Sequence, residues 1–251
     1  MSDDDLLRYS RQIMLPDFDI AGQEKLRAAT VLIVGLGGLG SPVALYLAAA
    51  GVGELWLADH DSVDHSNLQR QIAHGEADVG RLKIASAADA IRAINSTVRI
   101  NIVDEKLQGA FLEDAVRAVD LVVDCSDNFK TRFALNAACW QFKRPLVSGA
   151  AIRAEGQLMV IDPRQENSPC YRCLYDDAVS DEQLSCSQNG VLAPIVGVIG
   201  TLQALEAIKI IANYGTPAIG KLLAFDGRAL EWRTLKLKKD SHCPVCNQTA
   251  I

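Results

Sequence analysis

The chain has 251 residues, 49% apolar and 22% charged, the balance of a folded globular protein and not of a disordered, collagen-like or coiled-coil one. Its 25 Lys and Arg against 31 Asp and Glu give a formal charge of −6, which argues against a scaffold held to nucleic acid by phosphate neutralisation. The acidic start MSDDDLLRYSRQ lacks the short apolar core of a signal peptide, so a cytoplasmic protein is expected. Seven cysteines in that compartment point to metal or catalytic thiols before disulfides.

The hydrophobic pattern predicts a strand over 31–34, a buried Ala-rich helix over 39–50 and a strand over 54–58. An amphipathic helix over 83–95 follows, with Ile84, Ala87, Ala88, Ile91 and Ile94 on one face. Strands are predicted at 98–103 and 121–124, a helix at 130–141 and a strand at 145–148. This βα alternation implies an α/β fold, a Rossmann-like doubly wound and mostly parallel sheet. After Gly149 the rhythm changes. A strand at 157–161 leads into a polar loop with two cysteines, then the polar stretch 176–189 and a long apolar helix at 194–212. A hairpin of 221–225 and 231–236 is expected around the turn pair Asp226-Gly227. Two charge-free runs, 28–53 and 183–205, are long enough to cross a bilayer. Glycines and prolines break both, so buried elements are expected instead and no membrane association. Without a Pro/Gly/Ser linker, residues 1–251 read as a single domain with halves 1–150 and 151–251.

The segment VLIVGLGGLG places Gly35, Gly37 and Gly40 in the pattern G-x-G-x-x-G between a strand and a helix. The first glycine allows the tight turn, the second lets a phosphate approach the backbone, and the third lets helix pack on strand. The helix N-terminus then offers amides and partial positive charge to an anion. Asp59, at the end of the next strand, is placed to accept from a ribose. A nicotinamide-dependent oxidoreductase shares these features. The stretch that follows favours a triphosphate instead: Asn67 and Gln69 offer amide donors, Arg70 a planar fork and Lys83 a compact charge. In DCSDN, Asp127 lies at the carboxyl end of a parallel strand and is suited to hold Mg2+ on phosphate oxygens, although its position also fits a cap of the next helix. His60, His65 and His74 lie near these groups without an evident role.

Cys170-x-x-Cys173 and Cys243-x-x-Cys246 form two pairs whose combined thiolates suit a closed tetrahedral Zn2+ site. Such a site would staple the tail onto the distant loop. His242 beside the second pair is unneeded as a ligand. Cys125 and Cys139 fall in apolar elements and read as small buried hydrophobes.

With RYSRQ, GLGGLG, SNLQRQ, DCSDN, CYRCL, GTLQALEAIK and CPVC in place, the chain resembles the HesA/MoeB/ThiF family of ubiquitin-activating-like adenylyltransferases over nearly its whole length. FDIAGQEKL, VSGAAIRAEGQ and GVLAPIVGVIG are similar to the molybdopterin branch more than to the thiamine branch. The resemblance implies ATP-dependent adenylation of the Gly-Gly C-terminus of a ubiquitin-like sulfur-carrier protein, the small subunit of molybdopterin synthase, with release of pyrophosphate. It implies that Gly38 and Asp59 touch the adenosine, that Asn67, Arg70 and Lys83 hold phosphates, and that Asp127 positions Mg2+ with Asn128 near the nucleotide. Ser66, Leu68 and Gln69 belong to the same binding motif. Arg11 is expected to reach the nucleotide of the partner in a homodimer; on its own it reads as a surface charge. The second half is expected to bind the carrier and zinc, with the tail passing under the loop 176–189. Cys186 in that loop is where relatives carry a cysteine able to form thioester or persulfide links. No rhodanese-like segment is recognisable, so the sulfurtransferase is expected on another chain. Competing readings are the same chemistry on the thiamine-pathway or cysteine-pathway carrier, an inactive half of a heterodimeric activating enzyme, and the nicotinamide oxidoreductase.

Overall fold

The computed structural model describes residues 1–176 and 189–247. Three short helices open the chain, α1 (Asp3–Arg8), α2 (Ser10–Ile13) and α3 (Asp19–Ala28). The α/β units then follow as β1 (Thr30–Val34), α4 (Gly40–Ala50), β2 (Glu54–Ala58), α5 (Lys83–Ile94), β3 (Arg99–Val103), α6 (Gly109–Ala118), β4 (Leu121–Asp124), α7 (Phe129–Gln141) and β5 (Leu146–Ile152). The second half contributes β6 (Glu155–Ile161), α8 (Ala193–Ala212), β7 (Lys221–Asp226) and β8 (Glu231–Lys236).

All strands join one sheet of order β3-β2-β1-β4-β5-β6-β7-β8. The first five are parallel, and β6, β7 and β8 are added antiparallel. The doubly wound expectation therefore holds for the first half, while the second extends the same sheet by a meander. Alternation of side chains sorts the core into two layers. Val31, Ile33, Leu55, Leu57, Leu121 and Val123 face α4, α5 and α8. Leu32, Val34, Val122, Leu146 and Met159 face α6 and α7.

Four differences from the sequence pattern have physical causes. Helix α6 was not anticipated, because its buried stripe is only Leu112, Ala115 and Val116 and its N-cap residue Gln108 makes no side-chain cap bond. The short helices α1–α3 were missed for the same lack of a long apolar stripe. They dock through a few separate anchors: Phe18 and Leu26 enter the core, Asn95 Nδ2 donates to Tyr9 Oη at 2.8 Å, and the buried Gln23 donates to Ala50 O at 2.9 Å. Strand β5 runs on to Ile152 instead of ending at Ser148, and β6 begins at Glu155, because the two zip together up to the pair Ile152↔Glu155.

The long apolar helix α8 is long and apolar enough to cross a membrane by length and composition. Here it is packed into the core: Ile195, Val196, Ile199, Ala204 and Ala207 are buried with the β1–β6 layer. At Gly200 it crosses the start of α4 so closely that a Cβ would lie 2.4 Å from Leu39 O. That crossing fixes the helix that carries the glycine loop. Gly200→Ala is expected to lower unfolding free energy by about 1–3 kcal/mol, as overpacking does, measured by urea denaturation.

Candidate functional site: a nucleotide cavity at the sheet switch point

Strand order reverses between β1 and β4, so the loops leaving their carboxyl ends diverge and open a crevice. A cavity of 740 Å3 occupies it, within the range of small-ligand sites. Its lining includes Gly35, Gly37, Gly38, Asp59, Asn67, Arg70, Lys83, Asp127 and Asn128. Gly40, Ser66, Leu68, Gln69 and Arg11 are not in that lining.

The glycine loop folds tightly on itself. Gly35 has φ +91°, and its amide donates to Ala58 O at 2.8 Å. A Cβ on Gly40 would lie 1.9 Å from Gly35 O, so Gly40 serves the turn and not the ligand. At Gly37 the same test finds only the end of the Gln71 side chain, with Nε2 at 3.6 Å, so the loop is open towards the cavity there. Helix α4 starts at this point without a side-chain cap bond. Its positive dipole end therefore faces the cavity. Asp59 braces the loop: one carboxylate oxygen accepts from the Leu36 amide at 2.7 Å and the other from the Asp61 amide at 2.9 Å. His74 braces it from below, between Leu36 O at 3.0 Å and Ser86 Oγ at 2.8 Å. Burial, with help from the Lys83 charge, pushes the His74 pKa down and keeps the ring neutral.

The polar stretch after β2 is organised by a 3-10 turn, His65–Asn67, capped by Asp64. Ser66 gives both its amide and its hydroxyl to Asp64, at 2.8 and 2.6 Å, which turns it away from a ligand. Asn67 Oδ1 accepts from the Asp64 amide at 3.1 Å, leaving its amide nitrogen for the cavity. Arg70 Nη1 donates to Ser66 O at 3.1 Å, which fixes the guanidinium at the cavity wall. Lys83 is 6% exposed, not the solvated surface charge its composition would allow. Its ammonium meets Asp61 Oδ2 at 2.9 Å. Burial raises the Asp61 carboxyl, but the hydrogen bond and charge of Lys83 outweigh it and hold the pKa below the usual value.

Beyond β4 the functional and structural roles separate. The cap of α7 is Asn128, whose Oδ1 accepts from the Thr131 amide at 2.9 Å. Asp127 is thus released from capping; it is exposed, lines the cavity, and makes no ion pair among the described residues. Asp124, the last residue of β4, is fully buried; it accepts from Ser126 N at 3.0 Å, Ser126 Oγ at 2.6 Å and Ser148 Oγ at 2.8 Å. Sequence reasoning missed Lys106, Gln108, Lys130 and Arg132, which also line the cavity. Lys130 and Arg132 could have been found from their place in the first turn after DCSDN.

A second cavity of 290 Å3 adjoins the first. Its floor is a cross-strand row, since Ala150 pairs with Gln157, Gln157 with Ala224 and Ala224 with Arg233. Two alanines in that row leave a slot, and Tyr175 Oη closes one side by donating to Gln157 Oε1 at 2.7 Å.

The two cysteine pairs converge as their spacing implied. Cys170 and Cys243 sulfurs lie 3.6 Å apart, Cys173 and Cys246 3.3 Å, and Cys170 and Cys173 3.9 Å. Tetrahedral ligands about 2.3 Å from one zinc sit roughly 3.8 Å apart, so the set fits that ion. The Cys170 thiol and the Asp240 amide stabilise the Cys173 thiolate, whose pKa falls to about 5, while burial and its thiol neighbours push Cys246 up to about 12. His242 is outside the cluster, exposed and turned to Asp240. Cys125 and Cys139 are buried, and burial raises both thiols. Cys186 and most of the loop 176–189 lie outside the described residues.

These features define a nucleotide-binding α/β protein whose cavity is lined with both cations and carboxylates and opens onto a side slot. The chain belongs to the ThiF family, whose model matches residues 9–245. It is 49% identical over 248 residues to the molybdopterin-synthase adenylyltransferase of Salmonella typhimurium, covering 99% of each chain. It is also 49% identical over 246 residues to the sulfur carrier protein ThiS adenylyltransferase of Escherichia coli, covering 98% of this chain and 97% of that one. The mouse adenylyltransferase and sulfurtransferase MOCS3 is 46% identical, and the match covers 99% of this chain but 54% of the mouse protein. A solved structure of Escherichia coli MccB with AMPCPP and MccA shares the fold, with a TM-score of 0.85 at 23% identity over 99% of this chain and 75% of that one.

The Lys83–Asp61 pair gives a pH test. Because the Asp61 carboxyl is depressed in the fold, its contribution is full above the unfolded value of about 3.9 and is lost as pH falls through the depressed value. Asp61→Asn is therefore expected to be less stable than wild type at pH 7, with the gap in urea midpoints closing below about pH 4.

Proposed function

We propose that this chain transfers AMP from ATP to the C-terminal glycine of a ubiquitin-like sulfur-carrier protein, the small subunit of molybdopterin synthase, and releases pyrophosphate. The observation that carries the proposal is the convergence of the glycine loop, Arg70, Lys83 and Asp127 on one cavity with a side slot at its end. The nicotinamide reading needs the loop and Asp59 but gives no use to two fixed cations and a released acid.

The attacking carboxylate is already ionised, so no general base is needed. The barrier lies in negative charge gathering on the α-phosphate and the departing pyrophosphate, and preorganised cations lower it. Arg70 offers a fork already fixed by Ser66 O. Lys83 offers a point charge held in place by Asp61, and a triphosphate becomes its second partner. The N-terminus of α4 and the open backbone at Gly37 receive phosphate oxygens without any change of fold. Asp127, exposed at the cavity and without an ion pair among the described residues, fits a hard cation, and bound Mg2+ would supply charge neutralisation on the phosphates. Cys170, Cys173, Cys243 and Cys246 would hold Zn2+ as a closed structural site that ties the tail to the loop before α8.

A cytoplasmic homodimer, with Arg11 reaching the partner's nucleotide, extends the proposal. Exposure of Arg11 on α2, away from its own cavity, is compatible with that role. The sulfurtransferase would be a separate chain. The thiamine-pathway carrier is the second reading, because the ThiS-directed relative matches as closely as the molybdopterin one.

ATP–pyrophosphate exchange, with Gly-Gly-ended carriers offered one at a time, tests the proposal and separates the two pathways. Exchange with the molybdopterin carrier alone supports the first reading; exchange with the thiamine carrier alone selects the second; no exchange with either rejects both. Asp127→Ala should lower exchange about a hundredfold or more while leaving the melting temperature unchanged. Full activity in that variant would remove the acid from the mechanism. Metal analysis should find about one zinc per chain, and Cys246→Ser should lose zinc and melt at lower temperature.

A further inference from the structure

The nucleotide cavity and the side slot share three lining residues: Asp127, Arg132 and Ala151. Any reaction between a nucleotide in one and a chain terminus in the other happens beside these three. Only Arg132 among them carries positive charge.

Arg132 is half-buried, with its Nε wholly covered. It lies in the first turns of α7, with its backbone amide donating to Asn128 O at 3.3 Å. Its Nη2 donates to Ser126 O at 2.7 Å and its Nη1 to Tyr171 Oη at 3.4 Å. The guanidinium carbon sits 5.8 Å from the centre of the Phe129 ring. These contacts aim the group but are neutral. Among the described residues it forms no ion pair: burial works against its charge and the nearby Asp124 carboxylate favours it, but the hydrogen bonds of Asp124 go to Ser126 and Ser148. Two of its five N–H donors are used, and the buried Nε has no partner. A guanidinium held only by neutral contacts, with donors to spare, is ready to take an anion entering the site.

We propose that Arg132 is a further catalytic residue, which receives the terminal carboxylate of the carrier at the junction of slot and nucleotide cavity. This rests on the adenylation reading above. The carboxylate enters over Ala150 and Ala224, pairs with the guanidinium in place of water, and is held facing the α-phosphate. The bond formed is from carboxylate oxygen to α-phosphorus; the bond broken is from α-phosphorus to the bridging oxygen, which leaves with pyrophosphate. Arg132 takes no proton. It selects a free carboxylate over any uncharged terminus, because an amide or ester cannot satisfy the charge.

The test compares binding of the molybdopterin-synthase small subunit with a free C-terminal carboxylate against the same protein made as a C-terminal carboxamide. Wild type should prefer the carboxylate about tenfold or more, and Arg132→Gln should abolish the preference and raise the carrier KM with the ATP KM unchanged. Arg132→Lys, which keeps the charge, should recover part of both. If Arg132→Gln does not fold, Arg132→Lys and Tyr171→Phe are read instead. Each should raise the carrier KM severalfold while the ATP KM stays fixed; an unchanged carrier KM in both overturns the assignment. A folded Arg132→Gln that retains the carboxylate preference also overturns it. Wild-type exchange without any carboxylate preference removes Arg132 from its role and leaves adenylation standing. No wild-type exchange with any Gly-Gly carrier fails the adenylation reading, and this inference with it.

Discussion

The divergence of chain direction between β1 and β4 is the constraint on which the rest depends. Parallel strands need crossovers on both faces of the sheet, and where the crossovers change face the loops cannot pack on each other. The gap so formed sits at the strand ends, where backbone amides and the start of α4 point outward. The glycine loop, Asp59 and Asp127 are all within a few residues of those ends. The close approach of α8 to α4 at Gly200, and of Gly40 to Gly35, keeps the gap from closing by collapse.

A chain of charge −6 has to concentrate positive charge locally to hold a triphosphate. It does so by fixing cations through neutral or single acidic partners: Arg70 through a carbonyl, Lys83 through Asp61, Arg132 through a carbonyl and a phenol. Side chains already ordered lose little entropy when the anion arrives, and their field requires no reorganisation during the reaction. The burial of Lys83 and the partial burial of Arg132 also lower the local screening by water, so each charge counts for more than an exposed one.

The second half of the chain supplies shape. Its meander β6–β7–β8 prolongs the sheet beyond β5, and small residues along one row make a slot leading to the cavity. The cysteine cluster lies against the same core layer as α6 and α7, and Tyr171, between two of its members, reaches Arg132. Through that contact the loop leaving β6 is tied to the junction where the two cavities meet.

Much of this could be read from residues in order. The glycine spacing, the acid at the end of β2, the cations of SNLQRQ and Lys83, and the paired cysteines are local patterns, because each rests on backbone geometry or ligand spacing within a few positions. The family likewise shows itself in contiguous motifs. What required the folded chain were relations between distant segments. Only tertiary structure decided that Asn128 caps α7 and frees Asp127, that Gly40 is a packing glycine while Gly37 is open, and that Lys83 is buried against Asp61. It alone brought Arg132 to the wall common to both cavities. None of these follows from spacing along the chain, since each depends on which atoms of remote strands and helices come within a hydrogen bond or a van der Waals radius of one another.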